Sequence, residues 1–167
     1  MIIEALQNDD DARGCAAMMC ATDPWLILGR GFDACLAAVT DRSCETYVAR
    51  DGDAVRGFIV IQMRGAFGNG YIRSVCVAAD ARGSGVGSAL VAFVEERILR
   101  ECKNVFLCVS SFNPRARALY ERLGYEKAGE LKDYVIGGAS EIIMRKTTGP
   151  LITSHVYQPY PARPDEG

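Results

Sequence analysis

The chain has 167 residues, 49% hydrophobic and 24% charged, with a formal net charge of −2. That length fits one ordinary domain, and the composition excludes disordered, collagenous and fibrous classes. A net negative balance argues against a nucleic-acid partner, because phosphate binding draws on a Lys/Arg surplus on one face. No apolar run approaches the ~18 residues of a membrane span, so no membrane partner is expected. The opening stretch carries Glu4 and Asp9 to Asp11 and lacks the basic flank of a secretory leader. A cytoplasmic protein is expected. There are seven cysteines, an odd count, and one histidine, His155. Without a CxxC pair these read as reduced thiols buried as small hydrophobes, and no metal is expected.

In chain order, Ile2 to Leu6 reads as a strand. Asn8 or Asp9 offers an N-cap for a helix reaching about Ala21, with Asp9 to Asp11 at its positive end. Pro24-Trp25 follows, then a short helix over Phe32 to Val39. The period then changes to that of strands: Thr46 to Arg50, a turn at Asp51-Gly52-Asp53, and Val55 to Met63. A turn over Gly65 to Gly70 leads to a strand over Tyr71 to Val77. The nearly continuous apolar runs here predict a sheet covered on both faces.

A helix is predicted over Gly85 to Glu101, with Val86, Leu90, Val94 and Ile98 as its apolar stripe, widened by Ala89 and Phe93. Glu95 falls off that stripe. Val105 to Val109 is a buried strand. Asn113 caps a helix with Pro114 at its first position, and Gly124 stops it. Two strands follow, near Tyr125 to Leu131 and Glu141 to Lys146, and Asp133 to Ile136 is a further candidate for the sheet. From Thr147 the chain becomes proline-rich and extended. The order βααβββαβαββ is that of a mixed α/β (α+β) chain.

The sharpest feature is Arg82-Gly83-Ser84-Gly85-Val86-Gly87-Ser88, between a buried strand and an amphipathic helix. Glycines let the backbone turn and a ligand approach. Free N–H groups at the positive end of a helix suit a phosphate or pyrophosphate, and Arg82 adds a charged donor. No Lys-Ser/Thr pair follows, so this is not a Walker loop. The GxGxxG spacing misses by one residue, and the next strand ends in Ser110-Ser111 rather than an acidic residue, which argues against a dinucleotide fold.

These residues resemble the GNAT (GCN5-related N-acetyltransferase) superfamily. Arg82-Gly83-Ser84-Gly85-Val86-Gly87 matches its R/Q-x-x-G-x-G/A loop. Asn113, Ala116, Tyr120, Gly124 and Tyr125 match its second motif. The resemblance implies the acyl-CoA N-acyltransferase fold, a mostly antiparallel sheet with two splayed strands, flanked by helices. It covers residues 1–147, and 148–167 form a proline-rich tail outside it. It further implies acetyl-CoA as cosubstrate, with its pyrophosphate on the amides of Gly83 to Ser88 and its arm along Val75 and Val77. Ile72 to Val77 and Val105 to Val109 would be the splayed pair. Asn113 would bind the arm, and Tyr120 would act as general acid to the departing thiolate.

On periodicity alone Tyr120 is a core residue of its helix; the upstream loop turns the reading toward catalysis. Trp25 falls where the family builds its acceptor wall. The acceptor would be a small-molecule amine or a peptide N-terminus, attacking directly. A non-catalytic acyl-CoA sensor and a transferase with a longer acyl donor are the alternatives.

No carboxylate stands at Tyr71 to Ser74 or at Ser110-Ser111, where a base is expected. Glu45, Asp133 and Glu141 read as solvated surface charges, which favours a weakly basic amine and a water relay. Cys76 and Cys108 lie in the two flanking strands, and alternation sets Cys76 on the face opposite Val75 and Val77. Leu151, Ile152, Val156, Tyr157 and Tyr160 give the tail apolar area for docking, with a homodimer contact favoured.

Overall fold

The structure, a computed structural model, describes residues 1–153. Its elements are β1 (Ile2–Ala5), α1 (Asp9–Cys20), α2 (Phe32–Val39), β2 (Glu45–Asp51), β3 (Ala54–Ala66), β4 (Asn69–Val77), α3 (Val86–Leu99), β5 (Asn104–Ser110), α4 (Pro114–Arg122), β6 (Glu126–Lys132) and β7 (Ser140–Thr147). The strands form one sheet in the order β1-β2-β3-β4-β5-β7-β6. Among the described residues only β4 and β5 run parallel; the other neighbours are antiparallel.

Local signals set the element ends. Asn8 Oδ1 accepts the Asp11 N–H at 2.9 Å and starts α1. Asn113 Oδ1 accepts the Ala116 N–H at 3.1 Å and starts α4. Glu4 and Asp11 both pair with Arg50, which pins α1 to the β1–β2 edge. The turn between β3 and β4 is tighter than the glycines suggested. Ala66 pairs with Asn69, so Phe67-Gly68 alone make the bend, both at positive φ. Asp133 to Ile136 do not join the sheet. β6 ends at Lys132, and the segment beyond is an exposed loop.

Two cores cover the sheet. α3 and α4 pack on one face over Ile59, Ile61, Leu107 and Met144; α1 and α2 pack on the other over Val48, Phe58, Val60 and Cys76. On α3 the stripe Val86, Leu90, Val94, Ile98 is buried as expected, but it widens on the other side. Val91 and Glu95 are buried, whereas Phe93 stays exposed and stacks edge-on against Tyr47. Glu95 is tolerated inside because Lys146 Nζ donates to it at 2.7 Å. Of the seven cysteines, Cys15, Cys35, Cys76 and Cys102 are buried and none is in a disulfide. Burial pushes the Cys15 thiol up to about 12 and Cys76 up to about 11, which keeps both protonated and poorly nucleophilic. β7 ends at Thr147, where the tail was expected to begin, and Thr148 N–H still donates to Lys103 O at 3.0 Å. The docking expected of Val156, Tyr157 and Tyr160 lies outside the described residues.

Gly57 of β3 is a close-packed point between β3, β4 and the start of α3. A Cβ there would lie 2.8 Å from the Cys76 carbonyl oxygen and 3.1 Å from a Val86 methyl. Gly57→Ala is expected to destabilise the fold by roughly 1–3 kcal/mol, since backbone cannot yield as a side chain can. Thermal unfolding reads this as a lower Tm; an unchanged Tm would contradict the packing.

Candidate active site

The site begins where β4 leaves β5. The two strands pair only through Gly70, Tyr71 and Ile72, opposite Val105, Phe106 and Leu107. At that point β4 carries a bulge. Val60 of β3 faces Ser74 and Ile61 faces Ile72, so Arg73 is an extra residue. A bulge shifts side-chain alternation by one and bends the strand. Ile72 therefore faces the α3 core, and so do Val75 and Val77 beyond the bulge, while Cys76 turns to the α1–α2 core. The predicted opposition of Cys76 to its two neighbours is what the strand adopts. From Arg73 onward the β5-facing side of β4 has no strand partner.

One cavity, about 490 Å³, runs from this opening to the start of α3. Val75, Val77, Arg82, Gly83, Gly85, Gly87 and Ser88 line it on one side, Asn113 and Tyr120 on the other. Gly83 and Gly85 both have positive φ, which L side chains rarely adopt. Ala89 N–H bonding Gly85 O is the first bond of α3, so the amides of Val86, Gly87 and Ser88 have no intrahelical partner. Two residues of the motif do not line this cavity. Ser84 spends both its N–H and its hydroxyl on Ala81 O, and the Val86 side chain is buried in the α3 core. Arg82 is anchored as well, donating to Val77 O at 3.3 Å and to Thr22 Oγ1 at 3.1 Å. Arg115 and Arg122, one face of α4, add cationic lining that the sequence reading did not single out.

A second cavity, about 180 Å³, lies on the α1–α2 side of the same opening. Trp25 is both core and wall, only 9% exposed yet lining this space. Asp23, Val75, Asn113, Ala116 and Tyr120 line both cavities, so the two meet between the Asp23 turn and the Tyr120 ring. Tyr120 stacks edge-on against Tyr125, and burial pushes its phenol up to about 12. It stays a hydrogen-bond donor through the ordinary pH range. Asn113 uses Oδ1 on its cap and keeps its side-chain N–H groups for other partners.

Glu141 is the residue the sequence reading misplaced. It is no surface charge: it is 9% exposed, lies opposite Ser110 across β5 and β7, and accepts the Ser110 hydroxyl at 2.6 Å. It lines the smaller cavity with Tyr71, Arg73 and Cys108. Its neighbours Ile142 and Met144 belong to the α3 core, and period-2 alternation sends Glu141 to the other face. The signal was present, because alternation on both strands puts Ser110 and Glu141 on one face, but pairing between β5 and β7 was needed to see it. Glu45 instead pairs with Arg97 at 2.7 Å beside α3, and Asp133 accepts the Gly138 N–H in an exposed loop. Neither lines these cavities. Among the described residues no group of three or more His, Cys, Asp or Glu is placed to hold a metal, and no helix is long and apolar enough to cross a membrane.

The family model for the acetyltransferase (GNAT) family matches residues 10–125. An uncharacterised N-acetyltransferase of Methanocaldococcus jannaschii is 36% identical over 112 residues, 64% of this chain and 70% of that protein. Blasticidin-S acetyltransferase of Streptomyces morookaense is 34% identical over 76 residues, 46% of this chain and 56% of its own length. The fold is also similar to a crystal structure of aminoglycoside 6'-N-acetyltransferase complexed with coenzyme A. The TM-score is 0.75 at 19% identity, over 92% of this chain and all of that one, a likeness of fold.

Arg73 at the bulge is held by Asp41, whose carboxylate accepts it at 2.7 Å and takes two bonds from Ser43 at 2.7 and 2.9 Å. The Ser43 hydroxyl and amide, then Arg73, hold the Asp41 carboxyl down at about 2. A depressed carboxyl stabilises the fold above its ordinary titration range, and that contribution is lost as pH falls through the folded value near 2. NMR titration of the Asp41 carboxyl is expected to give about 2 in the wild type. In Arg73→Ala it should rise only part of the way to the ordinary value, since the Ser43 bonds remain. No change in that variant would show that Arg73 is not held there.

Proposed function

Because the chain belongs to the GNAT acetyltransferase family, we propose that it transfers the acetyl group of acetyl-CoA to a primary amine by direct attack, with Tyr120 as general acid. The observation that carries this reading is the meeting of the two cavities at Tyr120. One has the shape and donors for a pyrophosphate on an extended arm, the other opens to a second reactant. A ternary complex follows without a covalent enzyme intermediate, and the raised thiols of Cys15 and Cys76 fit that view.

In this proposal the pyrophosphate rests on the amides of Gly83, Gly85, Val86, Gly87 and Ser88, at the positive end of α3. Arg82 contributes charge from its anchored position. The arm runs along the unpaired side of β4, taking main-chain bonds from Val75 and Val77, and Asn113 donates from its free amide. Acetyl-CoA supplies an activated acyl group whose sulfur leaves as a thiolate. Tyr120 protonates that thiolate, and Trp25 walls the acceptor. The acceptor is a small-molecule amine or a peptide N-terminus. The relatives' names motivate blasticidin S and an aminoglycoside as panel members, and a peptide with a free N-terminus completes the panel. The buried carboxylate of Glu141 weighs against the sensor alternative, which needs no such group.

Gly87 separates binding from folding, since a Cβ there meets only Val77 at 3.5 Å and Leu119 at 3.7 Å. Gly87→Glu is expected to weaken acetyl-CoA binding by about a hundredfold or more through like-charge repulsion. Its Tm without ligand should change little. Unchanged affinity in calorimetry would remove the loop from the binding site. Tyr120→Phe keeps the ring and deletes the hydroxyl. It is expected to lower kcat by ~10²–10⁴-fold with acetyl-CoA affinity nearly intact. A wild-type rate would show that Tyr120 only packs.

A further inference from the structure

The acceptor cavity contains a carboxylate that Tyr120 chemistry does not use. Glu141 sits nine-tenths buried on β7, and the Ser110 hydroxyl occupies one of its oxygens, Oε1, at 2.6 Å. No other side chain among the described residues donates to it within hydrogen-bond distance, and none makes an ion pair with it. A buried carboxylate left with one neutral donor is costly unless a cation or further donor arrives. The cavity is where such a partner would come from. An ammonium group of the acceptor supplies what the site lacks, three donors and a positive charge.

We propose that Glu141 is the general base of the transfer, and that Ser110 is its positioning residue. This rests on the acetyltransferase reading above and adds a second catalytic group to it. The acceptor enters as an ammonium ion and gives one proton to the Glu141 carboxylate. The neutral nitrogen then attacks the thioester carbonyl. The C–N bond forms, the C–S bond breaks, and the electron pair leaves with sulfur. Tyr120 gives its proton to the thiolate and regains one from the nitrogen of the collapsing adduct. The third nitrogen proton remains on the amide, and the proton held by Glu141 passes to solvent. The balance is one amide, one free thiol and one released proton.

The charged and titratable groups around Glu141 suit this role. From β4, Tyr71 faces it, and burial together with the Cys108 thiol pushes that phenol well above its ordinary range, so it stays neutral. Arg73 is already committed to Asp41. From β5, Cys108 is also raised by burial and stays a thiol. From α4 comes Tyr120, and from β6 the opposing residue is apolar Leu131. The α1–α2 connection contributes Asp23 and Arg30, both exposed at the mouth. Glu141 is thus the one buried carboxylate in the cavity. With it in place the acceptor need not be weakly basic, and alkyl amines come within reach.

The test is the pH dependence of kcat/KM for the first amine of the panel that turns over. A base acting on the ammonium form makes the wild-type value nearly flat between neutral pH and the amine's own pKa. Glu141→Gln must wait for the free amine. Its value should lie ~10²–10³-fold below wild type near pH 7 and recover about tenfold per pH unit toward the amine's pKa. Its acetyl-CoA affinity should match wild type, because Glu141 does not line the larger cavity. Ser110→Ala should show a smaller loss with the flat profile retained. A wild-type profile that itself rises tenfold per unit overturns the proposal without any variant. So does a Glu141→Gln deficit that is the same at every pH, or a recovery pattern that appears in Asp23→Asn instead. Acetyl-CoA binding with no turnover of any amine overturns the transferase reading as well.

Discussion

Strands β4 and β5 touch at three register positions and then part, and the rest of the site depends on that short contact. Parallel neighbours normally stay paired because each lost ladder bond exposes backbone. Here the extra residue Arg73 ends the pairing, and Arg73 is fixed from outside by Asp41 and Cys44. The bulge therefore has a defined place instead of drifting along the strand. Beyond it the two strands open a passage from one face of the sheet to the other. The glycine loop and α3 close one side of that passage and α4 the other. Tyr120 stands where its two ends meet.

Much of this was legible in the sequence because it is written in local chemistry. The Asn113-Pro114 start, the Gly124 stop and the Gly83–Gly87 loop each depend on residues a few positions apart, and each lies where expected. The α3 stripe was legible too, but its width was not. Whether Phe93 or Glu95 is buried depends on Tyr47 and Lys146, which lie 46 and 51 positions away. The same holds for Ser84, whose side chain is taken by Ala81 rather than left for a ligand. Glu141 is the clearest case. Its strand was correctly placed, yet its hydrogen bond depends on Ser110 across a pairing between strands separated by α4 and β6. A helix period or a turn signal cannot carry that information, and a register between distant strands can.

The two buried carboxylates among the described residues show how context divides like residues. Glu95 and Glu141 are each 9% exposed. Glu95 has a lysine partner at 2.7 Å that neutralises its charge, although its other oxygen is buried without a hydrogen-bond partner. Glu141 has only a serine hydroxyl and a cavity in front of it. Burial alone does not mark a functional group; burial with an unfilled need for positive charge does.

The parted strands also bear on how the molecule avoids its own kind. An unpaired strand side is a template for intermolecular addition, and proteins usually blunt such edges with charge, proline or a cover. From Arg73 to Val77, β4 carries such a side in the middle of its sheet. Its recess supplies the protection. Residues of the Gly83–Ser88 loop and of α4 line the cavity beside it and wall that edge on both sides. These walls, with the charge of Arg73 at the segment's start, shield that edge from the approach of another sheet.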